Sequence, residues 1–275
     1  MPETEHVPDG VDPTRPSPAR MYDYMLGGTH NFQIDRDATE RFRAQMPDLY
    51  DAAWANRGFH GRAIRWMAIE HGIRQFVDIG SGLPTQNNTH EVAEAVAPGS
   101  HVVYIDSDPM VSVLASELLT DNGTTAVIQA DLRDPDDVLS RPELRALIDF
   151  GRPVGLLMTA VLQFIDDSSD PWGLAARYVG ALCPGSYLAL SHITRDKLPP
   201  VAVATGVQVY QSATESAHPR TLAEITRFFD GLELVPPYPG AGPALTNVGM
   251  WGSESPEEAD SDGSRAFYCG VARRP

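Results

Sequence analysis

Five short apolar runs alternate with helical stretches through the middle of the chain, and that alternation limits the fold more than any other feature. The runs fall at 76–79, 101–105, 125–130, 155–161 and 186–191, with helical patterns at 89–96, 108–119, 142–150 and 172–182 between them. A chain that returns to lay down a parallel strand needs a crossover, and a helix supplies it. The runs are apolar at nearly every residue, as strands covered on both faces are. The pattern therefore predicts an α/β fold, a mostly parallel sheet with helices on both faces. Two more strands are expected at 232–235 and 266–272, separated by a proline- and glycine-rich loop with an acidic run.

Three helices are expected before the first strand. Ser17 and Pro18 open the first, Met21, Tyr22, Met25 and Leu26 share one of its faces, and Gly27 with Gly28 ends it. The second starts near Asp35 and runs to Met46 and Pro47. The third spans about 48–71, with an interruption at Gly58 or Gly61. Later helices are expected at 201–215 and 219–229. Residues 1–16, polar and rich in proline, read as a flexible arm. The chain thus reads as an arm followed by a single domain over 17–275, with a helical lid (17–72) and a core (73–275).

A net charge of −16 over 275 residues repels phosphate backbones and anionic headgroups, so no nucleic acid and no membrane is expected as partner. The N-terminal stretch lacks the apolar core of a signal peptide, and no run is long enough to cross a bilayer, so a cytoplasmic location is expected. Cys183 and Cys269 lie in apolar settings and read as buried thiols. No cysteine or histidine pair has metal-site spacing, so no metal is expected. The GxSxG of an α/β-hydrolase is missing. Oligomeric state is not legible.

In open parallel sheets ligands bind at the carboxyl ends of the strands. The first such turn, FVDIGSGLPT, holds Asp78, Gly80, Ser81 and Gly82, but Thr85 stands where a dinucleotide fingerprint needs its third glycine. Asn88 and Glu91 are spaced like a capping box, so the next helix starts about nine residues after the strand, too far to bring its N-terminus to a pyrophosphate. Asp106 ends the second strand, where a carboxylate accepts hydrogen bonds from ribose hydroxyls, and Asp131 ends the third. Each aspartate alone could be a cap or a turn former. Three successive strands ending in DIG, YID and QAD point to one ligand edge.

The series DIGSG, YIDSDP, QADLRDP, GLLMTAVLQFI and ALCPGSYLALSHI resembles the class I S-adenosylmethionine-dependent methyltransferases. RMYDYMLGGTHNFQIDRDATERF, joined to FVDIGSGLPTQNNTHEVA, resembles more closely an actinobacterial group of uncharacterised S-adenosyl methyltransferases within that superfamily, from about residue 18 to the C-terminus. The resemblance implies a Rossmann-like, seven-stranded sheet whose last strand is antiparallel, and S-adenosylmethionine as cofactor. It places Asp78, Gly80, Ser81 and Gly82 at the methionine part, Asp106 with Ser107 at the ribose, and Asp131 with Leu132 at the adenine. Thr159 and Ala160 line the pocket from strand four, and Tyr22, Gly27, Gly28 and Asn31 fold over the cofactor. Pro84 departs from the usual glycine pattern, and Gln163 stands where the group often has histidine.

The implied chemistry is in-line methyl transfer to a small-molecule acceptor, in which alignment does most of the work and a general base is optional. His30, Asp23, His192 and Asp166 are the base candidates, and no catalytic residue is assigned. Two absences narrow the acceptor. No Asn- or Asp-Pro-Pro-Tyr follows strand four, and Cys183-Pro184 reverses the Pro-Cys used for covalent attack on pyrimidines. An acceptor pocket is expected from the N-terminal helices, the 194–218 segment and the 236–265 loop. The alternatives are a cofactor-binding regulatory module without catalysis and a nucleotide-dependent oxidoreductase.

Overall fold

The computed structural model describes residues 7–118 and 123–275. Three helices come first: α1 (Pro18–Met25), α2 (Gln33–Arg43) and α3 (Leu49–Glu70). The alternating core follows as β1 (Gln75–Ile79), α4 (Thr89–Val96), β2 (His101–Asp106), α5 (Pro109–Leu118), β3 (Thr125–Gln129), α6 (Pro135–Ser140), α7 (Pro142–Leu147), β4 (Gly155–Thr159), α8 (Pro171–Gly180) and β5 (Tyr187–Ile193). Then come α9 (Pro200–Gln211), α10 (Leu222–Thr226), β6 (Glu233–Leu234), β7 (Thr246–Asn247) and β8 (Phe267–Arg273). The expected end of the α5 helix at residue 119, like residues 1–6 of the expected arm, lies outside the described residues.

The strands order as β3-β2-β1-β4-β5-β8-β6, with β7 pairing β8 beyond β6. The first five are parallel, and β8 runs antiparallel to β5, β6 and β7. This is the expected sheet with an eighth strand, the two-residue β7, which the proline-rich loop hides in sequence. Chain order reverses at β1 and β4, so the crevice above their carboxyl ends is the natural ligand position.

Side chains leave each strand alternately to the two faces. Val77, Ile79, Val103, Ile105, Leu156, Met158, Leu188 and Leu190 pack on the face covered by α7, α8 and α10. Phe76, Val102, Tyr104, Leu157, Ala189, Cys269 and Val271 pack on the other, beneath α3. By the same alternation Asp78, Thr159 and Ser191 turn toward α3. That helix runs unbroken for 22 residues, about 33 Å. Two internal glycines cost it about 1 kcal/mol each against alanine. Burial of Phe59, Ile64 and Met67, all at 0% exposure, outweighs that cost. Gly58 also has a use, since a Cβ there would sit 2.8 Å from the Arg62 guanidinium.

Three further expectations are corrected. Strand four ends at Thr159 rather than Val161: Ala160 takes φ +55° and gives its N–H to Ser191 O at 3.0 Å, which turns the chain out of the sheet. Residues 7–16 are not a loose arm. Val7 and Val11 pack against Phe32, Leu83, Met110, Val111 and Leu114, and Pro16 accepts a bond from Thr214 N at 2.8 Å. The 236–265 loop is held by Arg62, which donates to Trp251 O and Val248 O at 2.6 Å each, while the Trp251 ring is buried between Phe59 and Trp66.

Since Trp251 is 1% exposed and no residue of that loop lines the cavity over the strand tips, Trp251→Ala should lower stability by about 3–5 kcal/mol. Urea unfolding would show the loss, with cofactor affinity unchanged in the folded variant.

Candidate active site

A cavity of about 420 Å³ opens over the carboxyl ends of β1, β2, β3 and β4. Its floor is backbone made thin by sequence. Gly80 takes φ +69°, and a Cβ there would lie 2.1 Å from Val161, so no side chain fits between the β1 turn and the segment after β4. Gly82, at φ +65°, turns its missing Cβ toward open space. Ile105 O accepts from both Gly80 N and Ser81 N, locking the turn onto β2.

Asp106 completes the turn. One carboxylate oxygen accepts from Gly82 N and the other from Asp108 N, both at 2.9 Å. These bonds fix the carboxylate on the cavity wall, where its remaining lone pairs can meet hydroxyl donors. Burial pushes Asp106 up to about 6 despite those bonds. Keeping it ionised at neutral pH therefore costs about 3 kcal/mol, a cost of the kind functional carboxylates carry. Asp131, one strand over, is half-exposed at the rim and paired with Arg133 Nη1 at 3.1 Å.

Above the floor, the cavity is closed by elements far away in sequence. Ser17 Oγ donates to Asp108 at 2.6 Å, tying the start of α1 to the loop after β2. Arg20 and Asp35 form a buried ion pair at 2.8 Å that joins α1 to α2. Arg133 reaches across the rim to Glu215, and Arg15 to Ala213 O. From α3 come Asn56, Arg57 and His60. Asn56 Nδ2 donates to Tyr22 Oη at 2.9 Å, and its Oδ1 accepts from Ser191 Oγ at 2.5 Å. Ser191 Oγ in turn accepts from Ala160 N, which holds the left-handed residue at the strand-four tip. Arg57 gives Nε to Gln86 O and Nη2 to Asn88 Oδ1, so it supports the long loop after β1.

Of the residues expected from sequence, Tyr22, Gly80, Ser81, Gly82, Asp106, Ser107, Asp131, Leu132, Thr159 and Ala160 lie on this wall. Asp78, Gly27, Gly28 and Asn31 do not. Asp78 points to the α3 face and is bonded to Thr89. The glycine turn serves Asp23, a buried carboxylate that accepts from His30 N at 2.9 Å, Asn31 Nδ2 at 2.8 Å and Thr85 Oγ1 at 2.9 Å. A Cβ on Gly28 would fall 2.0 Å from that carboxylate. Asp23 and the GGTHN turn thus brace the β1 loop, while Tyr22 and Met25 of the same stretch line the cavity.

None of the four base candidates reaches the cavity. Asp23 and His30 belong to the brace. Asp166 is a turn carboxylate held down at about 2 by Ser168 and Ser169. His192 faces the opposite side of the sheet, and burial keeps it down at about 3, so its neutral ring accepts from Arg220 Nη1 at 2.7 Å. Gln163 is on the wall, but its Oε1 accepts from Ile193 N, a backbone role that needs no titratable group. Among the described residues no cluster of metal-ligating groups is present.

Sequence reasoning missed Asn56, Arg57 and His60. Their signal was available, since three polar residues at i, i+1 and i+4 break an otherwise apolar face of a buried helix. The 194–218 segment contributes to the wall as expected, through Leu198, Val203, Val207 and Tyr210, whereas none of the described residues of 236–265 does.

The topology and an acidic residue at each of the second and third strand tips define a Rossmann-like methyltransferase fold. The chain belongs to the S-adenosyl methyltransferase family, whose model matches residues 4–275. A DUF574 family protein from Streptomyces avermitilis MA-4680 is 39% identical, superposes with a TM-score of 0.87, and the match covers 95% of this chain and 98% of that one. A candidate methyltransferase from Thermobifida fusca YX is 37% identical with a TM-score of 0.88, covering 97% and 98%. The fold extends to N-methyltransferase NodS from Bradyrhizobium japonicum WM9, solved with S-adenosylhomocysteine, at 13% identity and a TM-score of 0.50 over 86% of this chain and 98% of NodS. No curated protein matched the sequence.

The raised Asp106 gives a pH dependence with a definite sign. The carboxylate must be ionised to accept from two hydroxyls, and it protonates as pH falls through about 6. Affinity for S-adenosylhomocysteine should therefore be flat above neutrality and fall about tenfold between pH 7 and pH 5, measured calorimetrically, as a single linked proton requires. An Asp106→Asn variant should bind weakly across that range.

Proposed function

We propose that the protein transfers a methyl group from S-adenosylmethionine to a small, uncharged, largely apolar acceptor. The observation that carries this is the division of one continuous cavity into two chemical halves. The strand-tip half has Asp106, Asp108 and Asp131 beside the glycine turn, and a field of carboxylates favours a cationic cofactor. The helical half is lined by Met25, Phe42, Met46, Val207, Tyr210 and Phe267, and the charged groups that neighbouring segments add to the wall are already paired, Arg20 with Asp35 and Glu215 with Arg133. An ion entering that half would lose its hydration without a partner, whereas an apolar body gains from leaving water.

S-adenosylmethionine, when bound, supplies a methyl group on a positively charged sulfur. Asp106 would hold its ribose hydroxyls, and Leu132 would cover one side of the adenine. Among the described residues of the wall, Arg57 is the arginine without a carboxylate partner and would meet the carboxylate of its methionine part, because Arg20 is committed to Asp35 and Arg133 to Asp131 and Glu215. Gly80 and Gly82 would let that part approach the backbone. Thr159, Tyr22 and Asn56 stand where the two halves meet and would orient the acceptor. Alignment of this kind contributes on the order of 7–11 kcal/mol to such reactions.

Calorimetric titration with S-adenosylmethionine, S-adenosylhomocysteine and NAD tests the cofactor half. The first two should bind and NAD should not. Asp106→Ala should weaken binding by at least about tenfold, since hydrogen bonds to a charged group are worth about 1.5–3 kcal/mol. Binding of NAD alone would favour an oxidoreductase and contradict the proposal. The acceptor half is tested separately with Val207→Trp, which should abolish methylation of any acceptor found while leaving cofactor affinity within about twofold.

A further inference from the structure

Behind Thr159 lies a buried cluster whose other members have no part in the scheme above. His60 lies at 1% exposure, with Nδ1 at 3.0 Å from Thr159 Oγ1 and Nε2 at 2.8 Å from Thr89 Oγ1. Thr89 Oγ1 donates to Asp78 Oδ2 at 2.6 Å. Thr159 is on the cavity wall, and Asp78 is 3% exposed beneath it. Four side chains from β4, α3, α4 and β1 thus form an unbroken line of hydrogen bonds from the cavity to a buried carboxylate.

The direction of that line follows from donor counting. Asp78, ionised, can only accept. Thr89 has one hydroxyl proton and gives it to Asp78, so it must accept from His60, which puts the ring proton on Nε2. Nδ1 is then an acceptor and takes the Thr159 proton. Thr159 Oγ1 is left with its lone pairs toward the cavity, ready to accept a proton from there.

We infer that Thr159, His60, Thr89 and Asp78 form a proton relay that deprotonates the methyl acceptor, and that the acceptor is a neutral phenol or alcohol. The inference rests on the methyltransferase reading and adds its substrate class and base. As the acceptor oxygen bonds to the methyl carbon, the carbon–sulfur bond breaks with its electron pair staying on sulfur. The acceptor's O–H proton passes to Thr159 Oγ1, whose own proton moves to His60 Nδ1. The Nε2 proton moves to Thr89, and the Thr89 proton to Asp78. Positive charge on sulfur and negative charge on Asp78 disappear together, so the transfer adds no ion to the apolar half.

The electrostatics agree with the geometry. Burial holds Asp78 up at about 6, so it is ionised at neutral pH yet a better base than an ordinary carboxylate. Burial also holds His60 well below the usual histidine range, so the ring passes a proton on rather than keeping it. Arg57 and His60 from α3, Tyr104 and Asp106 from β2, and His90 from α4 are the titratable and charged groups around Asp78. Of these, Asp106 titrates in the same range. A pH limb is therefore assigned by variants rather than by its position.

Two measurements test the relay. On the full-length protein alone, 15N NMR reads the tautomer of each histidine ring, with His60→Gln identifying the signal. The relay requires the neutral Nε2–H form of His60 at pH 7. An Nδ1–H form or a charged ring reverses or blocks the line and overturns the proposal. In the second, a panel of neutral phenols and alcohols is offered with methyl-labelled S-adenosylmethionine. Asp78→Asn and Thr89→Val should cut kcat about 10²-fold or more, as loss of a general base does. KM for the cofactor should move less than about threefold, and Thr89→Ser should restore most of the rate. Wild-type kcat should rise through about pH 6, and Asp78→Asn should lack that limb. Variants that turn over like wild type overturn the relay. Methylation of no hydroxyl compound, with S-adenosylhomocysteine still binding, overturns the acceptor class. If S-adenosylhomocysteine does not bind at all, the methyltransferase reading fails first and the relay with it.

Discussion

A buried helix that turns polar residues toward a sheet has to satisfy them there, and α3 does so at the strand tips. Asn56 bonds to Ser191, and His60 to Thr159. Thr159 and Ser191 are direct partners in the β4–β5 pairing, so one register places both. Leaving any of these groups unpaired would cost about 1–3 kcal/mol. The same contacts fix the helix height over the sheet, hold Ala160 in its left-handed conformation, and bring Arg57 to the loop after β1. The site exists because the polar accounting of α3 closes at the carboxyl edge.

The rest of the cavity is assembled from the two ends of the alternating core. The N-terminal segment crosses from Pro16, paired with Thr214, to Ser17, paired with Asp108. It therefore ties the β2 loop to the end of α9. α2 supplies Phe42, which packs so closely on α9 that a Cβ on Gly206 would lie 2.8 Å from its ring. Apolar walls thus come mainly from α1, α2 and α9, and polar walls from the strand tips and the polar residues of α3. Strand ends expose backbone donors and short polar side chains, while helix faces that meet across a gap bring the apolar residues that would otherwise form a core.

Much of this was legible in the sequence for specific reasons. Strands buried on both faces leave continuous apolar runs, and strand-end aspartates mark themselves by following those runs, so Asp106 and Asp131 could be placed without coordinates. Ser17-Pro18 and Gly27-Gly28 carried their own start and stop signals. What could not be read depended on contacts between distant residues. The unbroken α3 required knowing that its glycines are packed. The ordered segment at 7–16 depends on Val7 and Val11 finding a patch completed by Met110 and Leu114. Asp78 and the GGTHN turn are placed at the ligand by the family resemblance. Their bonds run to Thr89 and to Asp23, and only the fold shows which side of the backbone those partners occupy. The polar break at Asn56, Arg57 and His60 was visible in the apolar helix, but which groups lie opposite His60 depends on the fold.

The central claim is that one cavity holds the cofactor on Asp106 and presents it to an apolar acceptor half through Thr159. A crystal structure of the protein with S-adenosylhomocysteine tests it most directly. The account predicts both ribose hydroxyls on Asp106, the carboxylate of the amino-acid part toward Arg57, and the sulfur facing Thr159 across the opening of the helical half. Ribose density away from Asp106, or a sulfur turned from Thr159 with that opening filled by the adenine, would contradict it.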